Sequence, residues 1–152
     1  MSAFKGSFVH SIDNKGRINI PAKLRKYLNP EANDTFVITR GFDRCIFAYP
    51  YDEWSNYEKQ IRMLRTSDAN SRYVMRHLLQ FATEVQLDAQ SRIMLPQKLI
   101  HLAEIKNEAL ILGVLDHLEI WNPDIYENYI QQQDASYEEV AEKVFQINNI
   151  QT

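Results

Sequence analysis

Apolar positions in this chain fall in short runs broken by turn formers, and the order of those runs occurs twice. Residues 7–12 and 17–20 read as two strands around the turn Asp13-Asn14-Lys15-Gly16, with Ile12 and Ile18 on its flanks. Gly16 takes a positive φ at no steric cost. Pro21 opens a short helix as its first residue, Leu24 and Leu28 face the core at i, i+4, and Asn29-Pro30 ends it. Strands over 35–40 and 44–49 form a hairpin around Gly41-Phe42-Asp43. From 51 to 80 the period changes. Trp54, Tyr57, Ile61 and Leu64 recur at 3 and 4, and Ser67-Asp68 marks a break and a fresh N-cap for a second helix running to about Leu79. Near the C-terminus Ser136-x-x-Glu139 is a capping box. It heads a helix with Val140 and Val144 directed inward and Glu138, Glu139 and Glu142 outward. The tail from Gln146 to Thr152 is expected to fray.

The repeat is explicit at residue level. Residues 13–28 align with 88–103: Asp13 with Asp88, Arg17 with Arg92, Ile18 with Ile93, Pro21 with Pro96, Lys23 with Lys98 and Leu24 with Leu99. Phe36-Val37-Ile38 answers Leu110-Ile111-Leu112, and the runs ending at Tyr49 and Trp121 each meet a proline, Pro50 or Pro123. The expected fold class is α+β and β-rich, with two tandem units related by a pseudo-two-fold axis. A first unit over 4–52, a helical connector over 53–80, a second unit over 81–124, and a C-terminal helix and tail over 125–152 complete the expected organisation.

Composition sets the compartment and excludes most chemistry. The chain has 152 residues, enough to bury a sizeable core. Its one cysteine, Cys45, lies in an apolar run and reads as a buried small hydrophobe, which fits a reducing, cytoplasmic setting. No secretory signal pattern and no run of membrane-spanning length is seen. The four glycines form no phosphate-cradling pattern, and His10, His77, His101 and His117 have no ligand spacing among them. No enzyme activity, metal, cofactor or small-molecule substrate is expected.

Charge points elsewhere. The net charge is −3, but residues 1–50 carry eight Lys/Arg and four Asp/Glu, whereas residues 104–152 carry two and ten. A basic face and an acidic face are therefore available, and DNA is not excluded. Lys15, Arg17, Lys23, Arg25 and Lys26 fall within residues 14–26 with no acid among them. Such a lobe suits phosphates, and Arg17 on a turn has the planar fork that reads guanine O6 and N7. Two readings of the turn stay open. Asp13 and Arg17 brace the hairpin and the remaining cations are a solvated helix face, or the carboxylate holds the arginine out toward DNA. The Asp-x-x-x-Arg spacing recurs in both copies, and the two readings are compatible.

The segment Asp13-Asn14-Lys15-Gly16-Arg17-Ile18-x-Ile20-Pro21-x-Lys23-Leu24-Arg25 resembles the signature of the SpoVT/AbrB-type swapped-hairpin DNA-binding fold. Two such units, together with Tyr49-Pro50-x-x-Glu53-Trp54, resemble the bacterial MraZ family over about residues 4–145. The resemblance implies a nucleoid-associated transcriptional regulator of the cell-division and cell-wall gene cluster. It would bind short repeated promoter sites on double-stranded DNA as a ring-shaped homo-oligomer. Lys15, Gly16, Arg17, Lys23, Arg25 and Arg92 are the expected DNA-binding residues, and Asp13 and Asp88 their supports. The alternative is an antitoxin-like or protein-interaction module that shares the fold without reading an operator. Apolar residues of the connector and the faces around Trp54 and Trp121 are expected to be covered by neighbouring subunits. The second copy departs from the pattern: Lys15-Gly16 becomes Gln90-Ser91 and Arg25-Lys26 becomes Ile100-His101. Unequal DNA contact and a differently shaped second turn are expected.

Overall fold

The computed structural model describes residues 2–148. Eight strands and six helices follow the repeat: β1 (Ser7–Ser11), β2 (Arg17–Asn19), α1 (Ala22–Arg25), β3 (Thr35–Arg40), β4 (Cys45–Pro50), α2 (Tyr51–Arg62) and α3 (Ala69–Phe81). The second copy runs β5 (Thr83–Gln86), β6 (Arg92–Met94), α4 (Gln97–Leu102), β7 (Glu108–Val114), β8 (His117–Trp121), α5 (Pro123–Gln131) and α6 (Tyr137–Ile147).

The two copies interleave. Six strands form an antiparallel sheet in the order β1-β7-β8-β4-β3-β5, and β2 pairs with β6 in a separate two-stranded ribbon. The first strand of each copy thus lies against the third strand of the other copy. Exchanging the copies reverses the sheet order onto itself, which is the pseudo-two-fold relation the repeat implies. Alternation of side chains along each strand fixes two packed faces. Phe36, Ile38, Ile46, Ala48, Ile111, Leu118 and Ile120 point to one side, where Ile18, Ile20, Leu24, Ile93, Leu95 and Leu99 close the core from the ribbon, α1 and α4. Val37, Cys45, Phe47, Tyr49, Leu110 and Trp121 point to the other, under Trp54 and Ile61 of α2 and Leu78 of α3.

Cys45 is fully buried, and burial pushes its thiol pKa far up, so it packs as an inert hydrophobe. Asp68 caps α3 by accepting from the Asn70 amide, and Ser136 caps α6 by accepting from the Glu139 amide. Several details differ from the sequence reading. Pro21 is the N-cap of α1 rather than its first residue. That helix ends at Arg25, because Tyr27 and Leu28 close back on Leu24 and Arg25 with tight i→i+3 bonds well before Asn29-Pro30. Pro30 instead opens a 3₁₀ turn, Pro30–Ala32. The segment after residue 122 holds two helices, with Asn122 capping α5 through the Asp124 and Ile125 amides. Trp54 and Trp121 are both covered inside the chain. Val140 and Val144 do not turn inward: α6 has no buried residue, so its apolar stripe is left uncovered by the described residues. Gln146 and Ile147 belong to α6 and Asn148 is its C-cap; the rest of the expected frayed tail, residues 149–152, lies outside the described residues.

One polar group sits inside the helix-covered face. The His117 ring stacks on Tyr49 (centroids 4.7 Å, 18°) and meets Phe47 edge-on at 4.8 Å. Its Nδ1 lies 2.7 Å from Asp116 Oδ1, and its Nε2 lies 3.7 Å from Glu119 Oε2, an ion-pair distance rather than a hydrogen bond. Burial alone would lower the His117 pKa, but Glu119 and Asp116 outweigh it and hold the pKa above the ordinary 6.5. A raised pKa stabilises the fold in full below about 6.5 and loses that contribution as pH rises through the folded value. Thermal unfolding from pH 6 to 9 should therefore show a fall in wild-type stability that His117→Gln flattens. Parallel curves for the two proteins would remove His117 from the account.

Candidate nucleic-acid interface

The ribbon β2–β6 places the candidate residues. Arg17 stands opposite Met94, Ile18 opposite Ile93, and Asn19 opposite Arg92. Residues opposed in an antiparallel pair share a face, and so do residues two apart along a strand. Ile18 and Ile93 are fully buried and anchor the ribbon to the core. The outer face therefore presents Arg17, Asn19, Arg92 and Met94. Met94 is 51% exposed, unusual for its type.

Each arginine is braced by its own turn. Asp13 Oδ1 accepts from the Lys15 amide (3.0 Å) and the Arg17 amide (2.9 Å), while its Oδ2 accepts from Arg17 Nε at 2.6 Å. Asp88 repeats the pattern with the Gln90 and Arg92 amides, both 2.9 Å, and Arg92 Nε at 2.8 Å. The Arg17 amide, followed by the other donors, holds the Asp13 carboxyl below the usual carboxylate range, and the Arg92 amide does the same for Asp88. Arg92 Nη1 also comes within 3.9 Å of Asp13 Oδ2, so the guanidinium groups of both copies converge on one carboxylate. Among the described residues only Nε of each guanidinium makes a hydrogen bond, so the terminal N–H groups of Arg17 and Arg92 keep donors unused, with Arg92 Nη1 facing Asp13 at ion-pair distance.

The second turn does not take a different shape. Gly16 has φ +82° and Ser91 φ +60°. The closing bonds match: Asp13 N to Arg17 O at 3.1 Å and Asp88 N to Arg92 O at 2.9 Å. The aspartate's three bonds fix the turn, and Ser91 accepts the left-handed strain. Gly16 is buried, and its carbonyl accepts from the Leu95 amide at 2.8 Å. It serves the ribbon's geometry rather than an exposed contact.

Lys15 is exposed at the turn tip, and Lys23 is exposed on α1. Arg25 is half-buried and donates from Nε to the Ile20 carbonyl at 2.9 Å, which ties α1 to the end of β2. Lys5 and Lys26 each lie 5.1 Å from the Tyr27 ring centroid and add to this basic side. One ribbon-face contributor escapes the sequence reading. Asn19 donates to the Gln90 carbonyl across the copies at 3.0 Å; its place two residues after Arg17 was the available signal, but Met94 replaces it in the second copy and the repeat does not flag it. Among the described residues, no group of three or more His, Cys, Asp and Glu side chains converges to hold a metal. No described helix is long and apolar enough to cross a membrane.

A family model described as "MraZ protein, putative antitoxin-like" matches residues 3–77 and again 78–148. The chain belongs to the MraZ family. A relative from Natranaerobius thermophilus, named Transcriptional regulator MraZ, is 43% identical over 141 residues, covering 93% of this chain and 96% of its own. Relatives of the same name from Halothermothrix orenii and Pelotomaculum thermopropionicum are each 41% identical, over 138 and 145 residues. The first spans 91% of this chain and 94% of its own, the second 95% and 97%. The two MraZ matches divide the chain at 77/78, within the C-terminal half of α3 and ahead of β5, where the structural repeat begins again.

Proposed function

We propose that this chain is a transcriptional regulator that binds double-stranded DNA sequence-specifically through the outer face of the β2–β6 ribbon. The observation that carries the reading is the pair of braced arginines on one face of that ribbon. A two-stranded ribbon fits the major groove, and a bidentate arginine reads guanine there. Arg17 and Arg92 read bases, and Asn19 has the amide that pairs with adenine. Lys15, Lys23, Arg25 and the neighbouring lysines contact phosphates, which position the protein without reading sequence. The relatives' shared name supports a role in transcription. The resemblance to the family supplies the finer terms: short repeated sites in the promoter of the cell-division and cell-wall gene cluster, a ring-shaped homo-oligomer, and a cytoplasmic, nucleoid-associated protein.

A second reading, an antitoxin-like module acting on a protein partner, is favoured by the wording of the family description and by the acidic residues after position 104. Fluorescence anisotropy separates the two. Labelled DNA from upstream of the chain's own gene should bind tightly in the presence of excess unrelated competitor, and a scrambled duplex of equal length should not. Equal binding of both duplexes would leave only nonspecific affinity, and no binding at moderate salt would favour the protein-partner reading.

A further inference from the structure

Helices α3 and α6 carry complementary faces that nothing in this chain brings together. On α3, Arg72, Met75, Arg76 and Leu79 share one face and line a shallow groove of about 710 Å³ with Thr66 and Gln80. Leu78, one residue round the helix, packs into the chain's own core, and the Thr39 hydroxyl donates to its carbonyl. Arg76 and Leu79 are exposed on this face, while Met75 at its inner edge is half-buried against the chain's own core and Arg72 donates to the Thr66 carbonyl at 2.9 Å. On α6, Glu138, Ala141, Glu142 and Phe145 share a face, with Val144 beside them. The spacing is identical: a charge at i and i+4, an apolar residue at i+3 and i+7. One helix carries two cations and the other two anions. Among the described residues none of these four charges pairs with an opposite charge. Val144 is 47% exposed and Phe145 37%.

We infer that α6 of one copy docks antiparallel on the α3 groove of a second copy of this chain. Two faces with the same handed offset meet charge against charge only when the helices run antiparallel; a parallel pair would set carboxylates against apolar side chains. In the antiparallel pairing Glu138 and Glu142 meet Arg76 and Arg72, and Ala141, Val144 and Phe145 cover Met75 and Leu79. The contact is head-to-tail, because it uses α6 of one chain and α3 of the next. Each copy keeps one unused face of each kind, so contacts propagate until a ring closes. The inference rests on the ring-shaped assembly proposed above and supplies its interface.

The test uses the full chain and reads mass by light scattering, without DNA. Arg72→Glu/Arg76→Glu and Glu138→Lys/Glu142→Lys, each alone, should fall from the assembled mass to that of a single chain. Mixed in equal amounts, the two should assemble again above the single-chain mass, because each contact between unlike variants is complementary. One chain carrying all four reversals should also assemble, which guards against a reversal that merely unwinds α6. A reversed variant that keeps the wild-type mass overturns the contact, as do dissociated variants that fail to reassemble on mixing. A wild-type chain that is itself monomeric overturns the ring and the contact together. A wild-type assembly indifferent to either reversal overturns the contact alone.

Discussion

Arg17→Ala and Arg92→Ala should each weaken binding to the upstream DNA by roughly 5- to 150-fold per engaged copy, corresponding to about 1–3 kcal/mol for a lost bidentate base contact. Folding should be nearly unchanged. The Arg17–Asp13 and Arg92–Asp88 pairs lie at the surface with their side chains 27–36% exposed, where solvent screening leaves an ion pair little weight in stability. The loss should fall on specific DNA and spare a scrambled duplex. The two copies should then part company in salt. Residues 14–26 hold five cations, and the matching 89–101 hold two, Arg92 and Lys98. Each phosphate neutralised adds about 0.9 to the log–log salt slope. Replacing Lys15 and Lys23 should therefore flatten the slope, while replacing Lys98 changes it less. Since both turns have the same backbone shape, inequality between the copies comes from these charges and from Asn19, which Met94 replaces in the second copy. Anisotropy titrations at several salt concentrations measure both quantities. Full affinity in both arginine variants would reduce the arginines to hairpin braces.

Gly16→Val should destabilise the fold by about 3 kcal/mol, combining left-handed strain with a forced contact. At φ +82° a side chain at position 16 is already strained, and its Cβ would lie 2.7 Å from the Leu95 carbonyl oxygen and 2.9 Å from Ile100 Cδ1. The carbonyl is backbone, at the residue that follows β6 in the second repeat, and cannot swing aside. The penalty falls on the cross-copy bond from the Leu95 amide to the Gly16 carbonyl, so the ribbon itself should loosen. Urea unfolding of wild type and variant measures the difference. A loss below about 0.5 kcal/mol would mean that the turn tolerates a β-branched residue and that Gly16 is not fixed by packing. DNA affinity measured well below the variant's unfolding midpoint should also fall, because the face carrying Arg17 depends on this register.

Much of this was legible in the chain. The Asp-x-x-x-Arg repeat located both turns, and the change from short apolar runs to a 3–4 period located α2 and α3. The interleaving was not readable from local pattern. Phe8 and Val9 alternate as any half-buried strand does, and nothing in β1 says that its partner is β7 of the other copy rather than a neighbour. The SpoVT/AbrB resemblance carried that information instead. Ser91 misled because residue identity was weighed above hydrogen bonding: Asp88 organises the turn strongly enough to hold a serine at positive φ. Val140 and Val144 misled in another way. Their spacing marks a stripe that something should cover, but an amphipathic pattern does not say whether the cover lies in the same chain. Asn19 went unseen because the repeat favours residues kept in both copies.

The most direct measurement of the central claim substitutes the DNA rather than the protein. Replacing each guanine of the bound upstream site in turn with 7-deazaguanine removes the N7 acceptor without altering charge or pairing. If Arg17 and Arg92 read guanines from the ribbon, wild-type affinity should drop several-fold at particular positions. Arg17→Ala and Arg92→Ala should each become insensitive at the position its own arginine reads. A wild-type protein indifferent to every substitution, or variants that remain as sensitive as wild type, would contradict direct reading of guanine by these arginines.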